Sequence, residues 1–250
     1  MSPKILDSAE LDAREQVMLR SAFQLIAEEG VSGLTIDKLV NRIPYSKGTV
    51  YNHFSGKEDL LTGLCIEALE HLSHLFQRAA AYPGNSRERI TAIGFAYMLH
   101  AQINPVAFML VITAKTPSIW EKTSDKRQQA YQQKEDQLLQ VFLQVICDAI
   151  SVGDLSLPAS FSESDVAFAL WANCFGTIAL LQEDLERCAV RQNIEMEPAV
   201  LRHCSLLLNS FGWLPLHQNP EPTIEQLKTG LFKAEIEQLE QRLTAKGQPL

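Results

Sequence analysis

Apolar residues recur at three- and four-residue intervals along most of this chain, and no stretch alternates apolar and polar positions as a strand would. That pattern predicts an all-α protein. A first helix is expected to open at an Asp12/Glu15 cap after a loose arm over residues 1–11. It turns Val17, Met18, Ala22, Leu25 and Ile26 inward and stops at Gly30. Thr35 then caps a short helix with Ile36, Leu39, Val40 and Ile43 on one face. Pro44 ends it, because the residue before a proline is pushed out of the helical region. Ser46 caps a second short helix that buries Val50 and Phe54. A Ser55/Glu58 capping box starts a long helix near Gly56, whose apolar residues Leu60, Leu61, Leu64, Ile66, Leu69, Leu72 and Leu75 lead to Ala81.

Asn85 with Glu88 caps the next helix, which carries Ile90, Ile93, Phe95, Tyr97, Met98 and Leu99 and breaks at Asn104-Pro105. Residues 106–114 form a nearly continuous apolar run, read as a short buried helix, and Thr116-Pro117-Ser118 reads as a turn. A long helix over 122–152 starts polar and becomes apolar. Ser162 and Asp165 cap a helix over 165–190, and Pro198 opens another over 198–212. Both are apolar around much of their circumference, at Phe168, Trp171, Leu180 and Leu181, then at Leu201, Leu206, Leu207 and Phe211. A helix facing only its own core needs one apolar stripe, so the surplus calls for a second partner. Pro215, Pro220 and Pro222 mark a linker before a tail helix capped by Thr223 and Gln226. That tail is either a frayed terminus or a strut against its own subunit or a partner.

The chain has 250 residues, 46% of them hydrophobic, enough for a sizeable core. Its net charge of −8 argues against coating nucleic acid along the whole surface, yet a specific reader needs only one positive face. Five cysteines at 65, 147, 174, 188 and 204, without a C-x-x-C pair, suit buried thiols in a reducing compartment. MSPKILDSAELDAR lacks the apolar core of a signal peptide. No stretch reaches the about eighteen uninterrupted apolar residues of a membrane span. The expectation is a cytoplasmic protein with no membrane partner.

The two short helices and the turn between them suit a DNA major groove, since Lys47, Gly48, Thr49, Tyr51, Asn52 and His53 lie around the start and outer faces of the second. Lys38, Arg42, Lys47 and Lys57 against Asp37 give a local positive balance. An ordinary helical hairpin is the bland alternative. The run SKGTVYNHFSGKEDLL, with Val17, Ala22, Leu25, Ile26, Gly30 and Thr35 upstream, resembles the signature of the TetR family of helix-turn-helix transcriptional regulators. Two departures stand in the turn: Pro44 where the family usually has Gly, and Tyr45 where it usually has the smaller Val. The resemblance implies a three-helix DNA-binding unit over residues 1–55, a helical ligand-binding and dimerisation domain over 56–214, and an added linker and tail over 215–250. It implies a homodimer acting on a palindromic double-stranded DNA operator, most simply as a repressor released by a small-molecule effector. An all-helical protein-interaction module that kept the motif is the alternative.

Carried over by position, Thr35, Thr49, Tyr51, His53 and Lys57 match phosphate-contacting positions, while Tyr45, Ser46, Lys47, Gly48 and Asn52 fall where groove contacts would be. His53 remains open to a structural reading. For the effector, the resemblance points to Phe95, Met98, Phe108, Trp120, Trp171, Asn173 and Phe175, with His100, Gln102 and Thr177 as further polar handles. Such residues are more often plain core. The scarcity of carboxylates there favours a neutral or apolar ligand over a cation. Glu67, His71 and His74 have helical spacing toward one metal ion, but isolated triples of this kind are usually unliganded, so neither a metal nor a cofactor is expected. No nucleophile elbow, phosphate loop, dinucleotide glycines or H-E-x-x-H occurs, and paired carboxylates such as Glu183/Asp184 read as a solvated face. The chain does not read as an enzyme.

Overall fold

The computed structural model describes residues 7–182 and 189–245, and these are helical without a strand. Glu183, Asp184 and Cys188 lie outside the described residues. The order is α1 (Ser8–Gly33), α2 (Ile36–Val40), α3 (Lys47–His53), α4 (Lys57–Ala80), α5 (Ser86–Ile103), α6 (Pro105–Ala114), α7 (Pro117–Trp120), α8 (Asp125–Ser151), α9 (Glu163–Leu181), α10 (Met196–Ser210), α11 (Glu221–Gln226) and α12 (Lys233–Ala245), with a single π turn at Leu227–Leu231. Two compact units do not follow chain order: one takes the residues up to Ala68 with Val106–Lys134, the other Leu69–Pro105 with Glu135 onward.

In the first unit, α1 begins earlier than the expected Asp12 start. Asp7 is its N-cap, accepting from the Glu10 N–H at 2.7 Å, so part of the expected loose arm is helical. Gly30 leaves the helical region at φ 74° and ψ 172°, which ends the regular helix where glycine punctuation predicts. Met18, Ala22, Leu25 and Ile26 are buried, whereas Val17 is exposed and Leu19 takes its place. α2 stops at Val40, ahead of Pro44, and buries Ile36 and Leu39. At the start of α4 the reciprocal cap is Asp59 rather than Glu58. The buried Asp59 carboxylate accepts from the Ser55 N–H at 3.0 Å and from the Ser124 N–H and hydroxyl at 3.0 and 2.7 Å. Residues 117–120 make one helical turn instead of an open turn, and α6 is only half buried, with Met109 and Ile112 exposed.

In the second unit, both capping boxes read from the sequence are present, Asn85 with Glu88 on α5 and Ser162 with Asp165 on α9. α5, α9 and α10 pack closely at Gly94, where a Cβ would lie 3.7 Å from Cys204 Sγ and 3.9 Å from Cys174 Sγ. The buried Arg87 donates to the Trp213 carbonyl at 2.6 Å and to Asn209 Oδ1 at 2.8 Å, tying α5 to the end of α10. Cys147 is exposed, unlike Cys65, Cys174 and Cys204. α9 ends at Leu181, short of the expected 190. By length and composition it is apolar enough to cross a membrane, with a mean hydropathy of 1.4, and only 28% of that stretch is buried. The tail is a strut on this same unit: Ile224, Leu227 and Phe232 are buried. Thr223 does not cap it, since its hydroxyl donates to Glu88 at 3.2 Å and Pro220 stands at the N-cap.

Candidate nucleic-acid interface

Seven residues are too few for a helix to persist by propensity, so α3 depends on its cap and on packing. Ser46 supplies the cap. Its backbone is extended, its Oγ accepts from the Thr49 N–H at 3.2 Å, and its hydroxyl lies 2.9 Å from that of Thr49. Thr35 caps α2 in the same way, accepting from the Lys38 N–H at 3.2 Å. Val50 and Phe54, both fully buried, fix α3 from below. Gly63 of α4 permits this approach, because a Cβ there would lie 3.1 Å from Leu19 and 3.2 Å from Phe54. No sequence spacing flags that glycine.

The opposite side of α3 holds Lys47, Gly48, Tyr51 and Asn52, all exposed. A Cβ on Gly48 would meet nothing nearer than Ser46 Oγ at 3.8 Å, so no contact among the described residues requires glycine there. Tyr45 is half buried beneath the Arg14 guanidinium, which sits 5.6 Å from its ring centroid. Lys57 donates to the Val31 carbonyl at 2.8 Å and is partly committed to the end of α1.

His53 is different from its neighbours. Its side chain is 7% exposed and its Nδ1 lies 3.4 Å from Glu15, which also pairs with Arg127 at 2.7 Å. Arg127 covers the Phe54 ring at 4.8 Å and donates to the His53 carbonyl at 3.4 Å. This arrangement clamps the end of α3 and supports the structural reading of His53. Arg127 and Glu15 were not flagged by the motif, and only the fold brings them together.

The local positive balance is largely paired within the chain. Lys38 bonds Glu29, Arg42 reaches Glu28 at 2.7 Å, and Lys47 reaches Asp37 Oδ1 at 2.6 Å. Donating to the Asp37 carboxylate raises the Lys47 pKa, as donating to Glu28 raises that of Arg42. Pairs this exposed are weak, so a phosphate can replace the carboxylate partner. Cap hydroxyls, an aromatic hydroxyl, an amide and an ammonium surround one short helix whose other side is buried. The fold and this surface define a helix-turn-helix DNA-binding domain.

Residues 18–64 match the model of the bacterial regulatory proteins of the tetR family, so the similarity falls on the helix-turn-helix part of the chain. The chain is 35% identical over 63 residues to the HTH-type transcriptional repressor AcnR of Corynebacterium diphtheriae, covering 25% of this chain and 33% of that protein. To the HTH-type transcriptional regulator BetI of Stenotrophomonas maltophilia it is 26% identical over 122 residues, covering 48% and 62%. The chain thus spans from a third to under two thirds of these relatives' lengths. Among solved structures, a tetR-family regulatory protein from Rhodococcus matches at TM-score 0.60 and 16% identity, over 80% of this chain and 97% of that one. The Thermus thermophilus regulator PfmR matches at TM-score 0.58 and 16% identity, over 77% and 97%. These structures share the all-α fold with an N-terminal helix-turn-helix.

The residues expected to line an effector pocket fall in both units. Phe108 and Trp120 belong to the first unit; Phe95, Met98, Trp171, Asn173 and Phe175 belong to the second. Phe95 and Met98 are buried, and Trp171, 37% exposed, donates to the Tyr97 hydroxyl at 3.2 Å. Burial pushes the Tyr97 pKa up. Asn173 Nδ2 is buried. A cavity of about 10 Å³ among Arg87, Thr91, Leu201, Ser205, Gln218 and Thr223 touches none of these residues and has room for about one water. Thr177 meets His203 at 3.2 Å, and the Gln102 carbonyl accepts from Arg242. No metal-binding group of three appears among the described residues: His71 instead turns to His100, Nδ1 to Nδ1 at 3.0 Å.

Proposed function

We propose that the protein is a homodimeric, ligand-responsive transcriptional regulator, acting as a repressor on a palindromic operator. The observation that carries this is α3, which buries Val50 and leaves Lys47, Gly48, Tyr51 and Asn52 to the outside. Tyr51 and Thr49 hold phosphates, while Lys47 and Asn52 read base edges across a groove that Gly48 lets the helix enter closely. Dimerisation follows from the apolar surface left uncovered on α9 and α10, with Phe168 64%, Leu180 59% and Leu206 59% exposed. Two copies of α3 then meet half-sites one or more helical turns apart. An effector in the second unit shifts α4, the helix that follows α3 in the chain, and so changes half-site spacing. Such a ligand must bind the two arrangements with different affinities.

The test is a gel-shift titration on DNA from the protein's own upstream region. Affinity should fall with salt, by about 0.9 in log units per phosphate neutralised. Lys47→Ala should relax discrimination at one or two base pairs by about 1–3 kcal/mol. Binding that ignores both salt and this substitution removes the reading. A second reading has one specific support, the in-chain pairing of Lys38, Arg42 and Lys47 together with the net charge of −8. Under it the motif is retained in a protein that works through α9 and α10 contacts, and specific DNA is not bound.

A further inference from the structure

Within the second unit the tail is held at several places, Lys228 on Glu197 of α10 among them, and one of them has the chemistry of a bound ligand. At the front, the Thr223 hydroxyl and the Gln218 amide donate to Glu88 Oε1 at 3.2 and 3.0 Å, and Tyr82 donates to Gln226. At the back, Arg242 donates to the carbonyls of Gln102 and, at 2.6 Å, of Ile103, the last residues of α5. Between them Phe232, with no exposed surface, lies against the equally buried Phe95, ring centroids 6.1 Å apart. The Arg78 guanidinium sits 5.0 Å from the centroid of the Phe232 ring and donates to the Glu235 carboxylate and the Leu231 carbonyl.

The backbone of the tail makes this possible. Its wide turn closes with the Phe232 N–H on the Leu227 carbonyl at 2.7 Å, and α12 opens with the Ile236 N–H on the Phe232 carbonyl at 2.9 Å. The Leu231 carbonyl therefore stands ahead of the α12 ladder and is taken by Arg78. Single π turns are rare and frequently occur at functional positions.

We propose that Phe232 and Glu235 form a tethered ligand, occupying a site on Arg78 and Phe95 that takes an apolar carboxylic acid when the tail yields. This rests on the reading of the second unit as the effector-binding part, and replaces the expected neutral or apolar ligand with an apolar body bearing one carboxylate. The body replaces the Phe232 ring against Phe95, and the carboxylate takes the guanidinium N–H groups that Glu235 now holds. A cation is repelled by Arg78, and a neutral molecule leaves the guanidinium without an anion. Arg78 keeps 40% of its side chain exposed while Glu235 keeps 13%, so an incoming acid meets the guanidinium before Glu235 has left. The front and back anchors hold the displaced segment close, which makes the tail an intramolecular competitor.

The full chain is titrated calorimetrically, without DNA, with 4-phenylbutyrate and with its neutral amide, and exchange of backbone amides 227–242 is followed. The acid should bind about tenfold more tightly than the amide and lower protection across 227–242. Glu235→Gln should tighten acid binding by about fivefold, and Arg78→Met should abolish the preference for acid over amide. Arg78→Lys, which keeps the charge but loses the fork, should retain part of that preference. Absence of acid binding to both the wild type and Glu235→Gln at millimolar concentration overturns the proposal. So do equal affinities for acid and amide, or unchanged tail protection with acid bound. An acid that displaces the tail yet leaves DNA affinity unmoved upholds this site and removes the effector-response reading instead.

Discussion

α3 and α9 each leave a face that their own chain does not cover, and the two faces are opposites. α3 buries Val50 and presents an ammonium, an amide, a phenol and a bare glycine backbone. α9 buries Val166, Ala167, Leu170, Cys174 and Ile178 and still leaves Phe168 and Leu180 more than half exposed. Polar groups in water cost nothing to leave uncovered, and they become selective only when a partner offers matching donors and acceptors. An apolar face in water is unfavourable by about 25 cal/mol for each Å² left uncovered, and any apolar surface relieves it. The first face is suited to choosing a partner by pattern, the second to holding one by area. Under the proposed function, α3 takes the sequence-reading role and α9 that of a permanent interface.

The strongest way to break this comparison is to make α9 and α10 resemble α3. Leu206→Glu places a charge on the exposed apolar face, and Leu206, 59% exposed, suits this better than the half-buried Leu207. The variant should sediment as a monomer, and DNA affinity should fall by about a hundredfold because paired half-sites are no longer engaged together. A wild type that is itself monomeric at micromolar concentration would remove the interface from α9 and α10.

Acid separates the regions by a different route. In the second unit, burial and then the neighbouring His71 push the pKa of His100 down to about 3. Burial likewise lowers His71, against the opposing effect of Glu235. The unfolded chain, with histidine near 6.5, binds more protons between those values, so this contribution to stability is complete above about pH 6.5. It is lost as the pH falls toward 3. Denaturant titrations at pH 7 and pH 5 should differ with a slope approaching about 1.4 kcal/mol per pH unit from this residue. His100→Gln should flatten that slope.

Gly48→Ala sharpens the comparison, because folding and binding should respond with opposite signs. A Cβ there meets only Ser46 Oγ at 3.8 Å, so thermal unfolding should show a gain of up to about 1 kcal/mol from helix propensity. DNA binding should lose about 1–3 kcal/mol from crowding against the groove. A loss of stability would mean that the glycine serves the fold. The smallest effect is expected at Tyr51, 48% exposed. Tyr51→Phe should weaken all DNA sequences alike by about 0.5–1.5 kcal/mol if the hydroxyl holds a phosphate, and a base-specific change would move Tyr51 to the reading set.

Some of this was determined by the sequence alone, because its causes are local. The caps of Thr35, Ser46, Asn85 and Ser162 act across three residues, and each forms as its spacing requires. The surplus apolar residues of α9 were visible for the same reason: helical period is a property of neighbours in sequence. Where two caps competed, sequence chose wrongly. Asp7 forestalled Asp12, and Asp59 took the Ser55 N–H because Ser124 completes its hydrogen bonds from 65 residues away.

What only the tertiary structure decided involves partners distant in the chain. The sequence leaves His53 open to a DNA-contact or a structural reading and does not show that Glu15 and Arg127 close on it, nor that His71, spaced along one helix with Glu67 and His74, meets His100. Lys47 is a cation in the sequence and half of an ion pair in the fold. The tail shows the limit most clearly. Its apolar period predicts a helix, but nothing local reveals that Glu235 and the Leu231 carbonyl answer Arg78 across more than 150 positions. Hydrogen bonds and ring contacts act at a few ångströms, so a pairing of this kind exists only once packing has brought the two segments together.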